Sequence, residues 1–290
     1  MAGMDERAGR RRGGRGLWRR GGRGLWRRAA LTVFAILVAA DEPAPLVVAI
    51  DPGHGGHDPG AVVGDLMEKD IVLDFSHRLA AEIAGRAGLE ARLTRSDDRF
   101  LGLRERLDVV RGMEAELLLS IHADSAAWGN ASGLSIYTLS EGGRARAQSE
   151  LTERTARDEA IRGLDLAGKG DDVTRALVDL AQRSSLGEGE RFVAAAMEAL
   201  SPDVKLLRTR PHRRAAFTVL RAADMPAVLV ELGFMSNADD RARLEDPAWR
   251  AKVATRLADA LAFWRRGRVR PGSTEPRGGL ISGNAPRKAQ

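Results

Sequence analysis

Short apolar runs alternate along the middle of this chain with longer stretches whose apolar positions recur every three or four residues. Residues 46–50 are a Val-rich run bounded by Pro and Gly, the pattern of a buried strand. Between 68 and 86, Ile71, Phe75, Leu79 and Ile83 keep helical spacing. Residues 89–94 read as a strand, 101–112 as a helix, and 116–121 as another buried strand. Further strands are expected at 133–139, 215–220 and 227–231, and one or two helices over 239–264. Strands alternating with helices imply an α/β domain with a largely parallel sheet. From about 141 to 190 the pattern turns charged and helical, with a Gly-rich break at 186–189.

The ends differ from this middle. The string GGRGLWRR runs from Gly13 to Arg20 and again from Gly21 to Arg28. It is basic and Gly-rich and cannot bury a core. The apolar run 29–40 follows, too short for a span of roughly 20 residues. A basic flank, a short apolar run and small residues before Asp41 read as a secretory signal peptide cleaved after Ala40, and Arg27–Arg28 also permits twin-arginine export. Residues 41–45 read as a linker, and the basic, Pro/Gly-rich tail 266–290 as disordered.

Charge follows the same division. The chain carries +6 overall, but ten Arg against Asp5 and Glu6 place about +8 on residues 1–40, and the last 26 residues add about +6. The middle is therefore acidic, at about −8, which argues against nucleic acid as a partner. Aromatics are only 4%, so the core must be built from Leu, Val, Ile and Ala. With no cysteine, disulfides, thiolate nucleophiles and Cys-ligated zinc are excluded.

Three strand ends carry candidate chemistry. DPGHGG, Asp51 to Gly56, places His54 in a Gly-rich turn just past the first strand, where open α/β sheets present ligand sites. It has neither a Walker lysine nor the dinucleotide-binding spacing. SIHAD delivers His122 at the corresponding end of a second strand. Glu68 opens the helix after the first loop, aimed back toward the sheet edge. Two imidazoles and a carboxylate suit zinc, and three protein ligands leave one position open, as in catalytic sites. VLVELG ends an apolar strand in Glu231, a carboxylate costly to bury without a task or partner. Singly, each residue has a plainer reading: a structural histidine, a helix N-terminal acid, an Arg-paired glutamate.

Taken in order, IDPGHGGHDPGA with MEKDIVLD, LTRSDDRFLGLRER, LLLSIHADS with GLSIYTLS, and VLRAADMPAVLVELGFMSN resemble the zinc-dependent N-acetylmuramoyl-L-alanine amidases of bacterial cell-wall turnover. The resemblance covers most of 46–264. It implies a single catalytic domain over about 41–265, with a twisted, mostly parallel sheet flanked by helices and a helical insert at about 141–190. It implies one zinc ion on His54, Glu68 and His122, Glu231 as catalytic acid/base, and hydrolysis of the amide joining N-acetylmuramic acid to L-alanine of peptidoglycan. His57 is a weaker candidate for substrate contact, His77 reads as structural, and His212 as a residue near the groove. The insert resembles that of division-associated members, where an activator of LytM-domain type displaces it. An acid of the insert (Glu141, Glu150, Glu153 or Glu159) is then expected on the open metal position at rest. A periplasmic monomer that separates daughter cells completes the expectation. The rivals are a zinc peptidase, such as a carboxypeptidase, and a non-catalytic wall-binding module.

Overall fold

The computed structural model describes residues 44–125, 131–155, 169–222 and 224–268. The expected signal peptide, the duplicated segment and nearly all of the C-terminal tail lie outside them. Among the described residues, no helix is long and apolar enough to cross a membrane.

The chain runs β1 (Leu46–Pro52), the small pair β2 (Val62–Val63) and β3 (Leu66–Met67), α1 (Glu68–Ala84), β4 (Leu89–Leu93), α2 (Leu103–Gly112), β5 (Leu117–His122), β6 (Ser135–Leu139), α3 (Glu141–Thr155), α4 (Asp171–Leu200), β7 (His212–Ala215), a 3-10 turn (Thr218–Arg221), β8 (Ala227–Glu231), α5 (Ala238–Glu245) and α6 (Pro247–Gly267). Six strands form one sheet in the order β4-β1-β5-β8-β6-β7. The first four are parallel, β6 is antiparallel to β8, and β7 is parallel to β6. The expected mostly parallel sheet is thus present.

Period-2 alternation divides the strands between two cores. Leu46, Val48, Ile50, Leu117, Leu119, Ile121, Val228 and Val230 face the layer containing α1, α6 and the end of α4. Ala49, Leu118, Tyr137 and Leu229 face the layer of α2 and the 3-10 turn. A sheet covered on both faces reads as continuous apolar runs, as here. From β1 the chain winds outward to β4 through α1, then returns to β5 through α2 on the opposite face. The point where winding reverses lies between β1 and β5, and the carboxyl ends of the strands at such a point are where open α/β sheets bind ligands.

Two sequence expectations give way to packing. The strand expected at 215–220 is instead β7 followed by the 3-10 turn. Pairing stops at Leu139↔Ala215, where β6 ends, and Val219 and Leu220 then fold under the sheet as a turn. The expected break at 186–189 is absent. Helix α4 continues through Gly187 and Gly189, because its burial against the sheet outweighs the helix-weakening effect of glycine. The expected insert boundary at 190 therefore falls within a helix that buries Val178 in one core and Phe192, Val193 and Ala196 in the other.

Candidate metal centre

The loop after β1 and the end of β5 meet at the reversal point and bring His54 and His122 together, with ring centroids 5.1 Å apart. Glu68, in the first turn of α1, lies between them. Its Oε2 is 3.2 Å from His54 Nε2 and its Oε1 is 3.0 Å from His122 Nδ1. Two main-chain N–H groups fix the same carboxylate: Ala61 donates to Oε2 and Ala123 to Oε1, both at 2.9 Å. Ligand atoms 2.0–2.1 Å from a tetrahedral ion lie about 3.3 Å apart. One ligand atom from each of the three residues lies within 4.8 Å of the others, so the set fits a single zinc ion.

Glycine makes this approach possible. A Cβ on Gly53 would come within 2.4 Å of the His122 ring. At Gly60, whose φ is +66°, a Cβ would meet Glu68 Oε2 at 2.6 Å and the His54 ring at 2.7 Å. His54 itself sits at φ +58°, a region that non-glycine residues seldom enter.

A buried frame holds that conformation. Asp51, 1% exposed, accepts hydrogen bonds from Thr94, Arg106 and Ser120. Arg106 Nη1 also donates to Pro52 O at 2.7 Å, and its Nη2 donates to His54 O at 2.5 Å. Arg95, fully buried, donates through Nη2 to Gly53 O at 2.7 Å and to Lys69 O at 3.0 Å, tying the His54 loop to the turn that carries Glu68. Asp58 orients His54 through Nδ1 at 2.8 Å, leaving Nε2 toward the centre. Sequence reasoning missed Asp51, Asp58, Arg95 and Arg106. Their signal was present: Asp58 lies four residues after His54, and the arginines stand in LTR and LRER.

Glu231 closes the site. The β5–β8 register places it directly across from His122, and it is 6% exposed. Its Oε2 accepts from Asp124 N at 3.0 Å. Burial pushes its pKa up to about 7; the His122 charge pulls against this, and the Glu68 and Asp124 carboxylates add to it. Burial opposes the charged form of His54, but hydrogen bonds and charge from Glu68 and Asp58 outweigh it and raise the pKa to about 9. His122 is likewise raised, against burial, by Glu68 and Glu231. Despite its burial, Glu68 is held well below the usual carboxylate range by the two histidines.

The other expected residues lie apart. His57 is exposed and stacks on Phe100 at 4.1 Å. His77 bonds to Ser96 O on the surface of α1. His212 hydrogen-bonds Thr138 toward the sheet edge. An acid of the insert on the open metal position is not found among the described residues. β6 runs antiparallel to β8, so it starts level with Glu231 and delivers the chain to α3 at the other end of the sheet. Glu141 pairs with Arg144, and Glu150 with Arg221. The side chain of Glu153 and all of Glu159 lie outside the described residues.

Residues 48–262 match the family model described as N-acetylmuramoyl-L-alanine amidase. The chain is 34% identical over 217 residues to the N-acetylmuramoyl-L-alanine amidase AmiA of Escherichia coli (strain K12), covering 74% of each chain. Among solved structures it is similar to the catalytic domain of CwlV, an N-acetylmuramoyl-L-alanine amidase from Bacillus (Paenibacillus) polymyxa var. colistinus. That match has 26% identity and a TM-score of 0.56, over 77% of this chain and 99% of that one. AmiC2 of Nostoc punctiforme, also titled N-acetylmuramoyl-L-alanine amidase, matches at 27% identity and TM-score 0.53, over 76% and 97%.

Proposed function

Because the chain belongs to the N-acetylmuramoyl-L-alanine amidase family, we propose that it cuts the muramoyl–L-alanine amide with one zinc ion on His54, Glu68 and His122 and with Glu231 as acid/base. It is an amidase of peptidoglycan in cell-wall turnover. The observation that carries the proposal is the convergence of three ligands beside a buried carboxylate that has no arginine or lysine partner among the described residues. Two plainer readings of these residues lose ground: Glu231 has no Arg ion pair among the described residues, and Glu68 does more than open a helix.

Bound there, zinc would polarise the amide carbonyl and acidify water. The protein's own part follows from geometry. Asp58 holds the His54 tautomer, and the backbone of Ala61 and Ala123 holds Glu68. Glu231, ionised, takes a proton from the attacking water at a carboxylate oxygen and returns it to the departing alanine nitrogen. A pKa near 7 suits both transfers. Glu231→Gln keeps the shape and loses the base. Mass spectrometry of digested sacculi should show the lactyl–alanine cut with wild type, none with a chelator, and none with Glu231→Gln despite retained zinc. Full activity of that variant would remove Glu231 from the mechanism, and release of terminal amino acids would favour the carboxypeptidase reading.

The remaining parts of the proposal concern setting. The basic, then apolar, N-terminal segment supports export to the periplasm. The enzyme works there as a monomer in daughter-cell separation, controlled by a LytM-domain-type activator at the insert. Val173 and Leu180, large apolar residues exposed on α4, support a partner at that place. Deleting 141–170 should change activity or abolish response to such an activator.

A further inference from the structure

The folded region is acidic overall, yet Lys205, Arg208, Arg210, Arg213 and Arg214 fall within ten residues at one edge of the sheet. Arg214 pairs with Glu190. Arg213 donates to Tyr137 Oη at 2.9 Å and lies over its ring. No carboxylate among the described residues pairs with Lys205, Arg208 or Arg210, and the nearby Asp203 is taken by Arg256. All five cations are exposed; Arg214 is matched by Glu190, Arg213 leans on Tyr137, and Lys205, Arg208 and Arg210 have no carboxylate partner among the described residues.

Backbone pairing fixes where they stand. Leu134 N donates to Lys205 O at 2.9 Å, Leu207 N to Leu134 O at 2.8 Å, and Ile136 N to Pro211 O at 2.8 Å. Residues 208–210 are therefore extra chain bulging from the edge at the level of Ser135. Arg210 is held there at φ +54°, a conformation that costs a non-glycine residue. Ser135 pairs with Glu231 in the register of β6 on β8. Arg213 lies across from Tyr137, and Tyr137 from Leu229, so Arg213 shares the sheet face of Glu231. The bulge is two strand spacings, about 10 Å, from the strand that carries Glu231. An extended peptide spans about 3.3–3.6 Å per residue, so three residues of substrate cover that distance.

We propose that Arg208 and Arg210, with Arg213 beside them, bind the free carboxylates of the stem peptide beyond its L-alanine and make the enzyme selective for stems in which those carboxylates are not amidated. The proposal rests on the muramoyl–L-alanine bond being the one cut at the metal. Guanidinium groups match carboxylates with two parallel donors, and substrate is then aligned along the sheet edge before the amide reaches Glu231.

The test uses the zinc-loaded full chain and two soluble substrates: muramoyl tripeptides with free carboxylates and the same tripeptides amidated. Two exposed ion pairs of ordinary strength together change affinity by about tenfold. Wild type should show a KM about tenfold lower for the free form, rising with salt. Arg208→Gln/Arg210→Gln should erase that difference by raising KM for the free form alone, with kcat unchanged. Both residues are exposed, so the fold should be untouched, and an unshifted thermal melt checks it. Equal KM values for the two substrates in wild type would overturn the proposal. So would a variant that raises both KM values alike, which points to general attraction of anionic wall polymer. If wild type cleaves neither substrate, the muramoyl–alanine reading fails first.

Discussion

Arg106→Met removes the fork that joins Asp51, Pro52 and His54 while nearly preserving volume. Arg106 is 4% exposed and Asp51 1%, so the change leaves a buried carboxylate with only two hydroxyl donors, Thr94 and Ser120. Breaking a buried pair by removing one partner typically costs about 3–5 kcal/mol. Domain stability as a whole is about 5–15 kcal/mol, so the variant should fold but melt markedly earlier. The second consequence is local. His54 loses the donor to its carbonyl and with it the support for φ +58°, so its Nε2 is no longer fixed toward the metal position beside Glu68. Loss of such a supporting contact should lower zinc affinity by about 10–100-fold, measured by competition with a chromophoric chelator. Adding Asp51→Asn removes the stranded charge, so the double variant should recover more than half of the lost stability without recovering zinc affinity. Additive single effects, each under about 1 kcal/mol, would refute the frame as the support of the metal loop.

Gly53→Ala should abolish zinc binding with a near-native circular dichroism spectrum, because the new methyl occupies the place of the His122 ring; unaltered zinc binding would show that the ring has room to move. In the metal-free protein, His54 titrates at about 9 and His122 above its usual value, and both must be neutral to ligate. Zinc binding at pH 7 should therefore release more than one proton, seen by calorimetry in buffers of different ionisation enthalpy, and affinity should climb with pH until about 9. By the same linkage, raised histidine pKa values stabilise the metal-free fold below about 6.5, and that contribution fades as pH rises through 9; a melt that is flat between pH 6 and 9 would contradict it. The kcat/KM of the zinc enzyme should rise with pH along a limb at or below about 7, since Glu231 must be ionised and a nearby cation lowers its pKa further.

The three residues of the candidate metal centre were legible because each stands beside a strong local signal: an apolar strand ending just before His54 or at His122, or a helix starting at Glu68. The alternation that marks strands also ordered most of the fold. Three features were out of reach for physical reasons. The buried role of Arg95 and Arg106 depends on backbone carbonyls some forty to fifty residues away, which no local pattern encodes. The continuity of α4 through Gly187 and Gly189 is decided by tertiary burial against weak propensity. The antiparallel placement of β6, which sends α3 to the end of the sheet away from Glu231, is a matter of strand order, and apolar periodicity is blind to direction.

The carboxylate of Glu68 is gripped by main-chain donors from two separate loops and by both histidines. Its oxygens have almost no freedom to swing, splay or recruit further ligands. Magnesium and calcium demand six or more oxygens around them, and this setting offers one carboxylate and two nitrogens at fixed spacing. In the proposed zinc centre the same rigidity would act as a filter, turning away hard cations such as magnesium and calcium by geometry. Against copper, which outcompetes zinc for nitrogen donors, such a filter would give no protection, and zinc loading would then be set by which metal is available.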